Sequence, residues 1–169
     1  MHATISLLVL LGGEALALGG TFVPQATDNC TANSGSRSYW TIDDLILKVY
    51  NWDNGGSMGT FGFRSYYSGT NKTVECLVEN VDLAKLGDGP WSKCGSTGTQ
   101  FRFDLNDISL AMRETWTCSD SPGVVFSANS TGSIMLHGCL DNNTDKGIES
   151  DCNLMELEMA ANITISTDK

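Results

Sequence analysis

The sequence predicts an all-β chain: a compact antiparallel β-barrel or sandwich of about eight or more short strands, stapled by disulfides. Three observations predict it. Apolar residues recur at every second position in several short runs, the mark of half-buried strands. Eighteen Gly against three Pro supply many turns. Six cysteines in a chain of 169 residues supply the staples. One domain is the expectation at this length. Twenty Asp and Glu against ten Lys and Arg give a formal net charge of −10. Such a surface repels phosphate backbones and anionic headgroups, so nucleic acid and membranes are not expected partners.

The elements follow in chain order. Residues 5–11 form a short apolar run, and Ala15-Leu16-Ala17 has the form of a signal-peptidase site. That predicts a signal peptide over residues 1–17 and a secreted, extracellular protein. Residues 18–38 read as a polar N-terminal arm pinned at Cys30, and residues 39–169 as a single β domain. No later apolar stretch approaches the ~20 residues of a membrane span.

Trp40, Ile42, Leu45, Leu47 and Val49 share a strand face only if a bulge near Asp43-Asp44 resets the phase. Gly55-Gly56 mark a turn. A strand from Thr60 to Tyr67 puts Phe61 and Phe63 on one side. The turn Ser68-Gly69-Thr70-Asn71 leads into a strand with Val74, Cys76 and Val78 on one face. Phe101 and Phe103 alternate with polar residues. Ile108, Leu110, Met112, Trp116 and Cys118 share one parity of the next strand. Glu114 falls in that same apolar parity, which marks a barrel mouth, a bulge or an internal cavity. Val124-Phe126-Ala128 and Ile134-Leu136 read as a hairpin around residues 129–132. The last run, residues 154–165, sets Met155, Leu157 and Met159 opposite Glu156 and Glu158.

Cys30, Cys76, Cys94, Cys118, Cys139 and Cys152 make an even count in a secreted chain. That reads as three disulfides with the connectivity open. There is no CxxC, and His137 is the single histidine after residue 17, so no metal and no cofactor is expected. Asn71, Asn129, Asn142 and Asn162 stand in sequons and are N-glycosylation candidates.

The order of landmarks resembles the Alternaria major allergen family of secreted fungal proteins. The elements that carry the likeness are Cys30, then Trp40-Thr41-Ile42-Asp43-Asp44-Leu45, Gly62-Phe63 and Thr73-Val74-Glu75-Cys76. Leu83 to Leu86, Trp91-Ser92-Lys93-Cys94-Gly95, Phe101-Arg102-Phe103-Asp104 and the Cys139/Cys152 pair complete it. The resemblance implies a β-barrel, a fungal source and secretion. It also implies action as an allergen, effector or elicitor, with plant defence proteins of the thaumatin-like class as partners. It carries no catalytic residues, and it implies the pairs Cys76–Cys94 and Cys139–Cys152. Cys118 departs from the founding pattern, in which the N-terminal cysteine links two chains. It offers Cys30 a partner within the chain, so a monomer is expected. Each bridge would contribute ~3 kcal/mol, mainly by restricting the unfolded chain.

Other motifs compete with that reading. Gly55-Gly56-Ser57-Met58-Gly59 matches the nucleophile elbow G-x-S-x-G, with Asp104, Asp107 or Asp120 and then His137 in the expected order. A strand rather than a helix follows Ser57, so a glycine turn explains the letters equally well. Residues 141–147 resemble the start of a calcium loop, but Lys146 and Cys152 stand where glycine and glutamate belong. The carboxylate pairs Asp43/Asp44, Asp104/Asp107 and Glu156/Glu158 read as solvated surface, and Glu114 as the best single candidate for a raised pKa. Of the aromatics, Trp40, Trp91 and Trp116 read as core. Trp52, Tyr66 and Tyr67 near turns read as partner-binding rings, while Tyr50 is left unassigned.

The favoured function is a non-catalytic effector, elicitor or allergen-like binding protein at the plant surface or apoplast. The alternative is a small secreted cell-wall-active hydrolase or carbohydrate-binding protein.

Overall fold

Strand β1 (Tyr39–Tyr50) alternates outward and inward positions on either side of one irregularity. Trp40 and Ile42 lie in one parity, and Leu45, Leu47 and Val49 in the other, yet all five are buried. The register against the neighbouring strand shifts between Asp43 and Ile46, and Asp44 takes a left-handed φ of 49°. One extra residue therefore flips the second half of β1 so that both halves face the same core.

The computed structural model describes residues 30–34, 37–50, 55–95, 98–145, 147–154 and 156–167. The expected signal peptide, residues 18–29 of the arm, Trp52, Met155 and the His137 side chain lie outside that description. Of the arm, Cys30–Ser34 forms one short helix, α1. The strands after β1 are β2 (Met58–Tyr67), β3 (Lys72–Asp82), β4 (Ser92–Lys93), β5 (Gln100–Asp104) and β6 (Ser109–Thr117). Then come β7 (Val124–Ser133), β8 (Leu136–Thr144), β9 (Gly147–Leu154), β10 (Leu157–Ala160) and β11 (Asn162–Thr167).

They make two antiparallel sheets. The first runs β3-β2-β1-β9-β8, with β10 also on β1; the second runs β11-β7-β6-β5-β4. Tyr39 to Ile42 pair with β10, and Ile46 to Tyr50 pair with β9, so the bulge also divides one edge of β1 between two partners. The chain leaves the first sheet at Ala160 and enters the second at Asn162. That is an all-β architecture of two packed sheets, as expected.

The aromatic residues of the two sheets meet in the middle. Phe61 stacks on Phe103 at 4.1 Å, and Phe63 meets Phe101 edge-on at 5.1 Å. Trp40 stacks on Tyr67 at 4.4 Å, Tyr67 meets Trp116 at 5.4 Å, and Trp116 stacks on Phe126 at 5.7 Å. Each such pair adds about 0.5–1.5 kcal/mol to the burial of its rings. Disulfides join Cys30 to Cys118, Cys76 to Cys94 and Cys139 to Cys152. The second ties β3, at the end of one sheet, to the residue after β4, at the end of the other. α1 is fixed by its bridge and by the Trp116 indole, which donates to Ser34 Oγ at 2.8 Å.

One expected element differs. Residues 129–132 are not a hairpin turn: β7 runs through them, paired with β6 from Ser109↔Ser133 to Thr117↔Val125. Their turn-like letters have another cause. Gly132 lies under Met159, whose Sδ would be 2.7 Å from any Cβ placed there. Within the calcium-loop-like run, Asp141 to Thr144 and Gly147 lie in paired strands β8 and β9, with Thr144 opposite Gly147 and Ser150 Oγ donating to Asp141 Oδ1 at 2.7 Å.

Asp44→Gly should change stability by less than ~1 kcal/mol, because glycine adopts a positive φ freely and the exposed Asp44–Arg64 ion pair contributes little. Asp44→Val should cost about 1–2 kcal/mol, since a β-branched residue is strained there. Urea denaturation of both variants checks this.

Candidate functional site

Glu114 is the inward charge of the second sheet. Its parity on β6 places it between Met112 and Trp116, both in the core, and it is itself buried. Two threonine hydroxyls donate to it: Thr99 Oγ1 to Oε2 at 3.0 Å and Thr70 Oγ1 to Oε1 at 3.2 Å. Thr70 comes from the β2–β3 turn and Thr99 from the approach to β5, so the carboxyl ties the ends of both sheets together. Burial raises its pKa above the ordinary carboxylate value, against the lowering effect of the two hydroxyls and the charge of Lys72. Glu114 thus faces the interior beside the turn; the register runs through it without a bulge, Glu114 opposite Ala128.

Tyr67 is part of the same interior and is corrected here from a surface ring to a core ring. It is 2 % exposed. Along β2, Phe61, Phe63, Ser65 and Tyr67 all point inward, so adjacent Tyr66 must point out. Gly69 allows the turn to fold over Tyr67, whose ring would sit 2.6 Å from any Cβ at that position. Burial pushes the Tyr67 phenol up to about 12, against a lowering by the Ser38 hydroxyl and with a further rise from the Glu114 charge.

Tyr66 is the predicted partner-binding ring that does reach the surface. It is half-buried, and its hydroxyl donates to Asn71 Oδ1 at 3.1 Å in the turn. Tyr39, exposed on the outer side of β1, was missed by sequence reasoning. It precedes the buried Trp40, and alternation along β1 turns it outward. Trp91 is also corrected: it is not core but half-buried on the outside of the second sheet. The guanidinium carbons of Arg113 and Arg102 lie 4.3 and 4.8 Å from its ring centroid.

Ser57 donates to Asp82 Oδ1 at 2.5 Å, and Lys85 pairs with Asp82 Oδ2 at 2.8 Å. This holds the start of β2 to a single 3-10 turn, Leu83–Lys85, rather than building an elbow. Asp82 is held below the usual carboxylate range, first by Lys85 and then by Ser57. Asp43 and Asp44 both pair with Arg64, at 2.8 and 3.0 Å. Glu156 and Glu158 are exposed. The four sequon asparagines are exposed as well: Asn71 in the β2–β3 turn, Asn129 in β7, Asn142 in β8 and Asn162 in β11.

No family model matches the chain, and no curated protein matches it. Its fold is that of two crystal structures of the Alternaria alternata allergen Alt a 1. One is 19% identical over 74% of this chain and 88% of that chain, with a TM-score of 0.50. The other is 14% identical over 78% of this chain and 96% of that chain, with a TM-score of 0.51. The likeness is one of fold.

Glu114→Gln keeps an acceptor for one threonine, sets an amide donor against the other hydroxyl, and removes the buried charge. Because the folded carboxyl titrates above its unfolded value, the folded state binds the extra proton, and stability rises as pH falls through the folded pKa towards the ordinary 4.5. The wild type should therefore gain melting temperature relative to Glu114→Gln on acidification from pH 7 to about pH 4.5. Parallel melts across that range check it.

Proposed function

We propose that this chain is a non-catalytic secreted fungal protein, acting as an allergen-like effector or elicitor at the plant surface or apoplast. Its partner would be a plant defence protein of the thaumatin-like class. The observation that carries this reading is the fold shared with the allergen structures, on a chain whose six cysteines are all paired. Two residues considered for a hydrolase reading support it too. Ser57 is engaged with Asp82, and Glu114 is engaged with two threonines rather than with a second carboxyl.

The contact surface would centre on Tyr66, with Tyr39 close by on β1; Thr41 is the residue directly opposite Tyr66. A tyrosine ring is a rigid anchor that leaves little side-chain entropy to lose on binding. Trp52 is a further candidate, outside the described residues. With Cys30 joined to Cys118, the protein would circulate as a monomer.

Two measurements test the reading. Immobilised oxidised protein, exposed to plant apoplastic fluid, should retain a thaumatin-like protein that a denatured control does not, and Tyr66→Ala should weaken that capture by about tenfold. Tyr67→Phe, a core change that leaves the surface intact, should not. Retention of nothing beyond the denatured control would overturn the proposal. Non-reducing electrophoresis should show one monomer band; a dimer collapsed by reductant would refute the intrachain Cys30 bridge.

A further inference from the structure

The outer face of the second sheet gathers positive charge in an acidic protein. Lys93, Gln100, Arg113, Asn129 and Asn162 are successive register partners across β4, β5, β6, β7 and β11. Directly opposed residues share a face, so all five point outward in one row. At about 4.8 Å per strand, that row extends for about 19 Å. Arg102 stands one row along β5, and both it and Arg113 lie against Trp91.

Three other cations among the described residues are held in ion pairs. Lys48, Arg64 and Lys85 are each paired with carboxylates. Among the described residues, no carboxylate lies in ion-pair range of Lys93, Arg102 or Arg113. Arg102 Nε is buried without a hydrogen-bond partner, and Arg113 Nε donates to Gln100 Oε1 at 2.7 Å. Asp104, at the far end of β5, is the single carboxylate among the outward strand positions of this sheet. Its Oδ1 accepts the Asn106 N–H at 2.9 Å. The face thus carries three cations against one carboxylate, and none of the three is ion-paired among the described residues.

Beside Arg113 lies a depression of about 590 Å³. It is lined by Thr115 and Ser127, whose hydroxyls are 3.4 Å apart, by Gln100 and Asn129, and also by Gly98, Ala128 and Glu114, whose buried carboxyl is held by Thr70 and Thr99. The exposed large apolar residues lie elsewhere, or, as with Ile165, at inward strand positions. A protein partner would need apolar anchors at such a surface. Alternating amides, hydroxyls and guanidinium groups suit a ligand that is itself polyhydroxylated and anionic.

We propose that this face binds a carboxylated glycan, a chain of uronic-acid residues laid across the strands. The guanidinium groups of Arg102 and Arg113 and the Lys93 ammonium receive its carboxylates, and the amide and hydroxyl groups receive its ring hydroxyls. The strand spacing is close to the length of one sugar unit, so successive strands meet successive units. Trp91 is a positioning residue: by holding both guanidinium groups against one ring, it presents their charge already ordered. This surface is on the opposite sheet from Tyr66 and does not depend on the proposed protein partner.

Calorimetric titration of the oxidised protein with oligogalacturonate and with a neutral glucan oligomer of equal length tests the proposal. Because Asn129 and Asn162 stand in the row, the secreted protein is compared with a form carrying Asn129→Gln and Asn162→Gln. Binding of the oligogalacturonate alone, by either form, is expected, and it should weaken as salt is added. Arg113→Gln, at an exposed position, should lower affinity about tenfold. Arg64→Gln, on the other sheet, should not change it. Trp91→Ala should weaken binding while Trp91→Phe restores it, with unchanged melting temperatures showing that both are folded. The proposal fails if neither form binds, if the neutral oligomer binds equally, or if Arg113→Gln has no effect. It also fails if dextran sulfate binds as tightly as the oligogalacturonate, since charge alone would then be read.

Discussion

The bulge in β1 is the constraint on which the other strands depend. A side-chain period of two allows no compromise: without one extra residue, Trp40 and Ile42 would face the core while Leu45, Leu47 and Val49 faced water, or the reverse. Asp44 absorbs that mismatch in a left-handed conformation. Arg64 then gathers Asp43 and Asp44 on the outside. The same irregularity lets one edge of β1 serve β10 before it and β9 after it. The chain end can therefore leave the first sheet and pair with β7 in the second. Closure of the two sheets over one aromatic core follows from a local feature of four residues.

Glu114 shows how a buried charge can belong to such a core. Taken from water alone, a carboxylate would be expensive, and its raised pKa expresses that cost. Hydroxyls from two separate connections reduce it. Because Thr70 and Thr99 lie on different sheets' connections, the carboxyl fixes their relative position, which hydrophobic contacts alone specify loosely. An enzyme would set such a group against a second acid or a nucleophile. Here its partners are neutral donors, which suits a structural role.

The two faces of the molecule have different chemistry. The first sheet places Tyr39 and Tyr66 outward beside Arg64, whose two carboxylate partners leave one negative charge uncompensated. The second places amides, hydroxyls and unneutralised guanidinium groups outward around Trp91. A net charge of −10 describes neither face. Average charge governs long-range encounters, whereas recognition at contact depends on what stands within a few ångströms.

The sequence by itself determined the class of the fold, most inward faces and the position of the β1 bulge. Each is a consequence of alternation along a single strand, which is a local property. It also flagged Glu114, because one acid in an apolar parity is visible without any neighbour. Only the tertiary structure decided what depends on pairing between distant segments. Residues 129–132 have the letters of a turn, but β6 lies beside them and Met159 covers Gly132, so they continue a strand. Tyr67 follows a run of inward residues to its end, and the nearby turn folds over it instead of exposing it. Trp91 precedes a two-residue strand with too little alternation to show its direction, and two arginines from later strands hold it outside the core. The row from Lys93 to Asn162 was invisible for the same reason: its members are distant in sequence, and hydrogen-bond register alone brings them together.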